Sequence, residues 1–253
     1  MTNVTSGASF PDHFSAVAAG YARHRPTYPE ELFAWLATLP RRRRRAWDCG
    51  TGSGQAAVAL AGWFEAVEAT DAAPAQLARA RPHPRVRYRA AAGEASGLAD
   101  ASVDLVTVAQ AVHWFDHARF WPEVRRVLAP GGAVAVWTYD LARVSPAVDA
   151  VVDRYYRLLD AWWPPQRALV EGAYRGLPFP FAELAPPAFA MRAEWDLERF
   201  AGYLATWSAA RRWSAAHGGS DAIDEVAAAL RAAWGHSGRT RTVTWPLTVR
   251  AGR

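Results

Sequence analysis

A glycine-rich turn provides the clearest chemical signature in the sequence. The run Asp48-Cys49-Gly50-Thr51-Gly52-Ser53-Gly54 follows a short apolar stretch and precedes an Ala-rich segment of helical periodicity. Glycines without a Cβ atom let the backbone approach a ligand closely, and free N–H groups at the start of a helix can bind it. The spacing is G-x-G-x-G, whereas the dinucleotide-binding fingerprint is G-x-G-x-x-G. The turn therefore predicts a ligand site after the first strand of an α/β sheet.

Other residues with suitable chemistry follow the later predicted strands. Asp71 ends the second strand, where a carboxylate can accept hydrogen bonds from ribose hydroxyls; a helix cap is the alternative. Gly93 and Glu94 follow the third strand and could contact an adenine edge, although Glu94 is equally compatible with a cap or a solvated position. His113 follows the fourth strand and is a candidate base or hydrogen-bond donor, with a structural role as the alternative. Because ligands bind at the carboxyl ends of parallel strands, these residues are expected to share one edge of the sheet.

Strands and helices are predicted to alternate along the chain. The predicted strands are 46–48, 66–71, 86–90, 103–109, 133–137, 188–195 and 241–250. The predicted helices are 8–20, 29–39, 55–63, 74–81, 119–128, 146–161, 197–213 and 221–234. This alternation predicts a doubly wound α/β fold with a seven-stranded, mostly parallel sheet, whose last strand is antiparallel and at or near the edge.

We expect a single domain over residues 1–253. It is divided into a helical N-terminal lid (1–40), a cofactor-binding core (41–140), a helical and aromatic cap insertion (141–187) and C-terminal elements that complete the sheet (188–253). The Pro- and aromatic-rich patch at 162–187 is expected to cover the binding face. Core packing between helices is an equally weighted alternative.

Composition excludes some classes of protein. Hydrophobic residues make up 51% of the 253, which excludes global disorder. The net charge is 29 − 24 = +5, but every basic residue is arginine, so we attribute the charge to a compositional bias and not to a nucleic-acid partner. The run Arg41–Arg45 is interpreted as a solvated cluster, with a nucleic-acid patch as the alternative. The single cysteine, Cys49, is interpreted as a small buried residue. No signal peptide, membrane segment or metal site is predicted, and a cytoplasmic location is expected.

Taken together, the motifs resemble those of class I S-adenosylmethionine-dependent methyltransferases. DCGTGSG, EATD, GEASGLADASVD, VTVAQAVHWFD and LAPGG carry this resemblance over about residues 14–140. The segments HWFD and YARHRPTYP are similar to the methyltransferase type 11 group, which includes trans-aconitate methyltransferases. The resemblance implies a Rossmann-like fold, S-adenosylmethionine as cofactor and a small-molecule acceptor.

Other functions remain open. A nucleic-acid methyltransferase is disfavoured because QAVH follows the fourth strand in place of the N/D-P-P-Y/F that holds a flipped base. The glycine spacing argues against a nicotinamide-dependent oxidoreductase. A protein that binds S-adenosylmethionine without catalysis is not excluded, and the oligomeric state is left open.

The resemblance also implies roles for individual residues. Those expected to bind the cofactor are Tyr21, Arg25, Asp48, Gly50, Thr51, Gly52, Gly54, Asp71, Ala72, Gly93, Glu94 and Gln110. Those expected to bind the acceptor are Trp114, Tyr139, Arg143, Trp207 and Arg211. A phenol or amine acceptor would need a base, for which His113 is the catalytic candidate, whereas a carboxylate is already ionised at neutral pH.

Overall fold

The computed structural model describes residues 26–253. The α-helices are α1 Glu30–Leu36, α2 Gln55–Leu60, α3 Pro74–Leu77, α4 His117–Val127, α5 Pro146–Leu158, α6 Arg167–Glu171, α7 Leu197–Ala205, α8 Ser208–Ala216 and α9 Asp224–Trp234. The strands are β1 Arg45–Cys49, β2 Ala66–Asp71, β3 Val86–Ala90, β4 Val103–Ala109, β5 Leu128–Tyr139, β6 Glu183–Leu184, β7 Phe189–Trp195 and β8 Arg241–Gly252. Short 3-10 turns lie at Val112–Trp114 and Asp160–Trp162. The predicted helix 8–20 and the predicted cofactor residues Tyr21 and Arg25 lie outside the described residues.

The strands form one mixed sheet in the order β3-β2-β1-β4-β5-β8, with β6 and β7 both paired to β8. Strands β1 to β5 are parallel, and β8 runs antiparallel to β5. This confirms the doubly wound, mostly parallel architecture. The predicted count of seven strands is exceeded by β6, a two-residue strand too short to leave a pattern in the sequence. The last strand lies one position in from the edge, because it pairs with β5 over 247–252 and with β7 over 241–247.

Most predicted elements differ from the observed ones by one to four residues at an end, and two differences are larger. Strand β5 begins at Leu128, five residues before the predicted start, because Leu128 pairs with Val103 before a bulge shifts the register. The predicted helix 197–213 is broken into α7 and α8. Trp207, at the break, has an extended backbone (φ −61°, ψ 139°), and its ring stacks on Tyr155 at a centroid distance of 5.5 Å. Packing of this large side chain outweighs the local preference for a continuous helix.

Helices cover both faces of the sheet, and a third apolar cluster forms the C-terminal cap. Helices α1 and α2 pack on one face together with Trp137, while α4 packs on the other face around Phe120 and Trp121. The cap cluster joins α5, α7, α8 and α9 to β7 and β8, and includes the fully buried Trp234 and Trp245. Between residues 26 and 253, no helix is both long and apolar enough to cross a bilayer.

Asp104 fixes the start of the first strand. Its side chain is buried on β4, and Oδ2 accepts hydrogen bonds from the backbone N–H groups of Arg44 (2.9 Å) and Arg45 (3.1 Å). The side chains of Arg41 to Arg45 are exposed, so the basic run lies on the surface at the amino end of β1. Asp104 is therefore a buried link between the two strands that precede the predicted site.

We predict that Asp104→Ala lowers the free energy of unfolding by about 1–3 kcal/mol, because it leaves two backbone donors without an acceptor. Urea denaturation measures the change. Asp100→Ala is the control: Asp100 is 79% exposed and pairs with Arg126, so its loss should cost less than about 1 kcal/mol. Equal losses in the two variants would contradict the role given to Asp104.

Candidate active site

The three glycines of the turn after β1 have left-handed backbones and different surroundings. Their φ angles are +68° for Gly50, +56° for Gly52 and +79° for Gly54. A Cβ atom on Gly50 would lie 2.6 Å from the Cβ of Ala111, and one on Gly54 would lie 2.2 Å from the hydroxyl of Tyr88. A Cβ on Gly52 would meet no atom of residues 26–253 within 4 Å. Packing therefore requires glycine at the first and third positions, whereas Gly52 borders open space in which a ligand can approach the backbone.

Asp48 supports the turn from inside the protein. Its side chain is fully buried, Oδ2 accepts a hydrogen bond from the hydroxyl of Thr51 (2.6 Å), and Oδ1 accepts one from Thr107 (2.9 Å). Burial raises the pKa of this carboxyl to about 6, against the opposing effect of the two hydroxyls. Asp48 therefore links β1, β4 and the turn through these hydrogen bonds. Its contact with a cofactor stays a prediction.

Asp71 joins the end of β2 to the glycine turn. Oδ2 accepts the N–H of Gly52 and Oδ1 accepts the N–H of Ala73, each at 2.8 Å. Burial raises the pKa of the carboxyl. Asp71 is not the residue that caps α3, since that position is Ala73. Each carboxylate oxygen retains a second lone pair, so a ribose can still bind there; this role, like that of the exposed Ala72, stays a prediction.

The segment after β3 packs against the turn. A Cβ on Gly93 would lie 3.0 Å from Sγ of Cys49 and 3.2 Å from the ring of Phe115. Glu94 accepts the N–H of Asp116 at 2.8 Å and so connects this segment to the start of α4. Burial raises the pKa of the Cys49 thiol well above its usual value, in keeping with a small, inert core residue. Contacts of Gly93 and Glu94 with an adenine stay predictions.

Gln110 connects the ends of β4 and β5. Its Nε2 donates to the carbonyl of Tyr139 at 3.1 Å, and the hydroxyl of Thr138 donates to its Oε1 at 2.7 Å. Both polar atoms of the side-chain amide therefore form hydrogen bonds within the protein. The predicted contact of Gln110 with the amino-acid part of a cofactor stays a prediction.

His113 is a neutral residue beside a buried tyrosine. Its Nδ1 lies 3.0 Å from the hydroxyl of Tyr174, whose side chain is fully buried. Burial lowers the pKa of His113 to about 4, and the positive charges of Arg167 and His117 act in the same direction. The imidazole is therefore uncharged at neutral pH and available for hydrogen bonding. Its low proton affinity makes it a weaker base than the sequence-based role assumes.

Backbone strain is concentrated around this histidine. Of four non-glycine residues with a left-handed backbone in 26–253, three lie here: Gln110 (φ +57°), Ala173 (+51°) and Tyr174 (+55°). The strain at Tyr174 is compensated by Arg250, whose Nη1 donates to the Tyr174 carbonyl at 2.8 Å. Strain of this kind persists where surrounding contacts over-determine it and is often found at functional sites.

A cleft opens beside these residues. It is lined by Gln110, His113, Trp114, Tyr139, Asp140, Leu141, Trp163, Pro164, Arg167, Val170, Tyr203, Thr206, Trp207, Ser208 and Arg211. Four of the five residues predicted to bind the acceptor are therefore brought together: Trp114, Tyr139, Trp207 and Arg211. Arg143 is not among the described residues that line the cleft, because its Nη1 pairs with Asp153 at 3.2 Å and its backbone bridges to Thr244.

Several lining residues come from the aromatic patch 162–187 and were not singled out by the sequence analysis. Trp163 and Arg167 line the cleft, whereas Tyr174 and Leu177 pack into the core beside α4. One part of the patch therefore lines the cleft, and another part packs in the core. The patch contains two arginines, Arg167 and Arg175, and the sequence alone does not tell which of them lines a cleft.

The cleft adjoins the glycine turn. Strand β4 pairs with β1 on one side and with β5 on the other, all in parallel, so their carboxyl ends meet at one edge of the sheet. The close approach of Gly50 to Ala111 brings the turn into contact with the segment that carries His113 and Trp114. The glycine turn and the cleft are therefore neighbours at this edge of the sheet.

Comparisons with known proteins agree with this arrangement. The methyltransferase domain family matches residues 47–136. A Dictyostelium discoideum protein named as a methyltransferase is 31% identical over 236 residues, covering 91% of this chain and 89% of the relative. An uncharacterised methyltransferase of Mycobacterium tuberculosis is 42% identical over 126 residues, which is 49% of this chain and 51% of the relative. A solved structure named as a type II methyltransferase, from Anaeromyxobacter dehalogenans, is 52% identical with a TM-score of 0.85, covering 90% of this chain and 97% of that one.

The chain therefore belongs to the class I S-adenosylmethionine-dependent methyltransferases, in the methyltransferase type 11 group. The open space at Gly52 fits this cofactor, because it leaves the backbone of the turn accessible. The finer likeness to trans-aconitate methyltransferases stays a prediction.

The glycine turn gives a matched pair of substitutions. We predict that Gly52→Ala weakens binding of S-adenosylhomocysteine at least tenfold, because the new methyl group enters the open space. The alanine must also adopt the left-handed backbone of position 52, which costs about 1–2 kcal/mol of stability. Gly54→Ala should cost roughly 1–3 kcal/mol more, because its Cβ meets the hydroxyl of Tyr88. Calorimetric titration and thermal unfolding measure the two effects. Undiminished affinity in Gly52→Ala would contradict the placement of the cofactor.

The titration of His113 gives a second prediction. Because burial and neighbouring positive charge disfavour the imidazolium, we expect the His113 ring to remain unprotonated until the pH falls to about 4. Histidine ring resonances followed by NMR from pH 8 to pH 4 measure this, with His113→Gln to assign the signal. A midpoint near the ordinary histidine value of about 6.5 would contradict the buried, neutral state.

Proposed function

We propose that the protein transfers the methyl group of S-adenosylmethionine to an oxygen atom, a carboxylate or hydroxyl, of a small molecule bound in the cleft. The contact between Gly50 and Ala111 carries this proposal, because it brings the glycine turn, which we expect to bind the cofactor, directly beside the cleft. The cleft has a volume of about 140 Å³ and opens to solvent, which suits a small molecule that enters from the surface.

Bound S-adenosylmethionine supplies an activated methyl group, so the protein needs mainly to align the acceptor and exclude water. The glycine turn and Asp71 would hold the cofactor. Trp114 and Trp207 present apolar rings to the acceptor, and Trp207 is held in place by stacking on Tyr155. The neutral His113 can hydrogen-bond the acceptor without introducing charge.

A nucleic-acid acceptor receives little support from the charge distribution. The exposed run Arg41–Arg45 precedes and begins β1, whereas the cleft lies beyond the carboxyl ends of β4 and β5. Because the strands are parallel, the basic run and the cleft are at opposite edges of the sheet. A nucleic-acid strand bound by these arginines would therefore not be guided into the cleft.

The first experiment tests the cofactor. We predict micromolar binding of S-adenosylhomocysteine and no binding of NADH in calorimetric titrations of the purified protein. A panel of small carboxylates and hydroxyl compounds is then incubated with methyl-labelled cofactor. Oxygen methylation should appear as labelled ester or ether, and alkaline hydrolysis separates the two because only the ester releases methanol.

The outcomes distinguish the competing functions. Label found on nitrogen, or only on added RNA or DNA, would contradict the proposal. Tight binding of S-adenosylhomocysteine without transfer to any member of a broad panel would favour the non-catalytic binding protein. Folded protein that does not bind S-adenosylhomocysteine would remove the basis of the whole assignment.

A further inference from the structure

Arg167 is a constrained cation on the wall of the cleft. It begins α6, and its side chain is only 18% exposed. Nε donates to the hydroxyl of Tyr156 at 2.9 Å, and Nη2 donates to Oδ1 of Asp140 at 2.7 Å. Glu171 lies farther away, 3.9 Å from Nε. An arginine this well enclosed is uncommon outside paired or functional positions.

Two aromatic rings hold the guanidinium in one orientation. Its central carbon lies 4.9 Å from the ring centroid of Trp163 and 5.4 Å from that of Tyr156. The two rings themselves stack, with centroids 4.9 Å apart and planes inclined by 29°. Cation–π contacts and two hydrogen bonds therefore restrict the side chain before any ligand binds. Little further conformational entropy would be lost on recognition of a ligand.

Part of the guanidinium remains available. It has five N–H donors, and the bonds to Tyr156 and Asp140 use Nε and one hydrogen of Nη2. Within residues 26–253, no hydrogen bond from Nη1 to a protein acceptor is formed. The edge formed by Nη1 and Nη2 has the geometry that binds a carboxylate or a phosphate through two parallel hydrogen bonds.

The balance of charge in the cleft favours an anion. Among the residues that line it, Arg167 and Arg211 are positively charged and Asp140 is negatively charged, while Glu171 lies outside the lining, 3.9 Å from Nε of Arg167. His113 contributes no charge at neutral pH, partly because Arg167 is close to it. A bound anion would therefore meet a net positive wall, whereas a bound cation would have to compete with Arg167 for Asp140.

We propose that Arg167 binds an anionic oxygen group of the acceptor, a carboxylate or phosphate, and so determines which molecules enter the cleft. The proposal rests on the proposed function and adds the residue that selects the acceptor. Arg167 therefore replaces Arg143 as a residue proposed to bind the acceptor. It acts in binding only and exchanges no proton with the acceptor.

The direct test is an NMR titration with simple probes. The reporter is the indole N–H of Trp163, which lies under the guanidinium, in protein saturated with S-adenosylhomocysteine. Acetate, inorganic phosphate and tetramethylammonium are each added at constant ionic strength, with chloride as the balancing anion. We expect acetate, phosphate or both to shift the reporter, and the one with the larger effect identifies the group. A shift with tetramethylammonium alone, or with none of the probes, would overturn the proposal.

Variants separate Arg167 from the rest of the site. Arg167→Met removes the charge and should abolish the response to anions; with an acceptor identified in the panel it should raise KM roughly 10- to 100-fold, with little change in kcat. Arg167→Lys keeps the positive charge but cannot form two parallel hydrogen bonds, so we expect an intermediate response to anions. This variant also provides the test if Arg167→Met does not fold. Arg199→Met is the control, since that guanidinium lies 5.0 Å from the Trp195 ring and does not line the cleft.

Different results would refute the proposed methyl transfer and the proposed role of Arg167. Wild-type protein that does not bind S-adenosylhomocysteine would refute the proposed function. Normal binding of S-adenosylhomocysteine together with an undiminished anion response in Arg167→Met would refute the role of Arg167 alone.

Discussion

The close approach of Gly50 to Ala111 is the constraint on which the rest of the site depends. Any side chain at position 50 would collide with the segment that follows β4, so only glycine lets the turn after β1 touch that segment. The contact brings a backbone turn suited to a cofactor next to the cleft that contains His113 and Trp114. Asp48 and Asp71 reinforce the turn from two sides, because each carboxylate accepts two hydrogen bonds from the neighbouring strands or the turn itself.

The cleft is built differently from the glycine turn. Its walls come from the ends of β4 and β5, from the segment around α6 and from the break between α7 and α8. Strained backbones at Gln110, Ala173 and Tyr174 are tolerated because hydrogen bonds from Gln110 to Tyr139 and from Arg250 to Tyr174 hold them. The glycine turn and the cleft can thus coexist in one sheet, because they use different parts of its carboxyl edge.

The electrostatics of the cleft follow from burial and not from the overall charge of the chain. The +5 net charge is carried by exposed arginines such as Arg41–Arg45, far along the strands from the cleft. Inside the cleft, the guanidinium of Arg167 is held by Asp140 and two aromatic rings, and its positive charge adds to the burial that lowers the pKa of His113. Composition alone therefore says little about what this protein binds.

The sequence by itself determined the parallel core and the position of the cofactor turn. Strands β3 and β4 were predicted with their observed bounds, because buried apolar runs and the turns between them are local signals. Trp114, Tyr139, Trp207 and Arg211 lie together on one cleft, while their contact with an acceptor stays a prediction. Only the tertiary structure decided that Arg143 turns towards Asp153, that Trp207 breaks a helix, that Tyr174 reaches His113 and that Arg167 lines the same cleft. Those outcomes depend on contacts between residues distant in the chain, whose packing outweighs local propensity and leaves no periodic pattern to read.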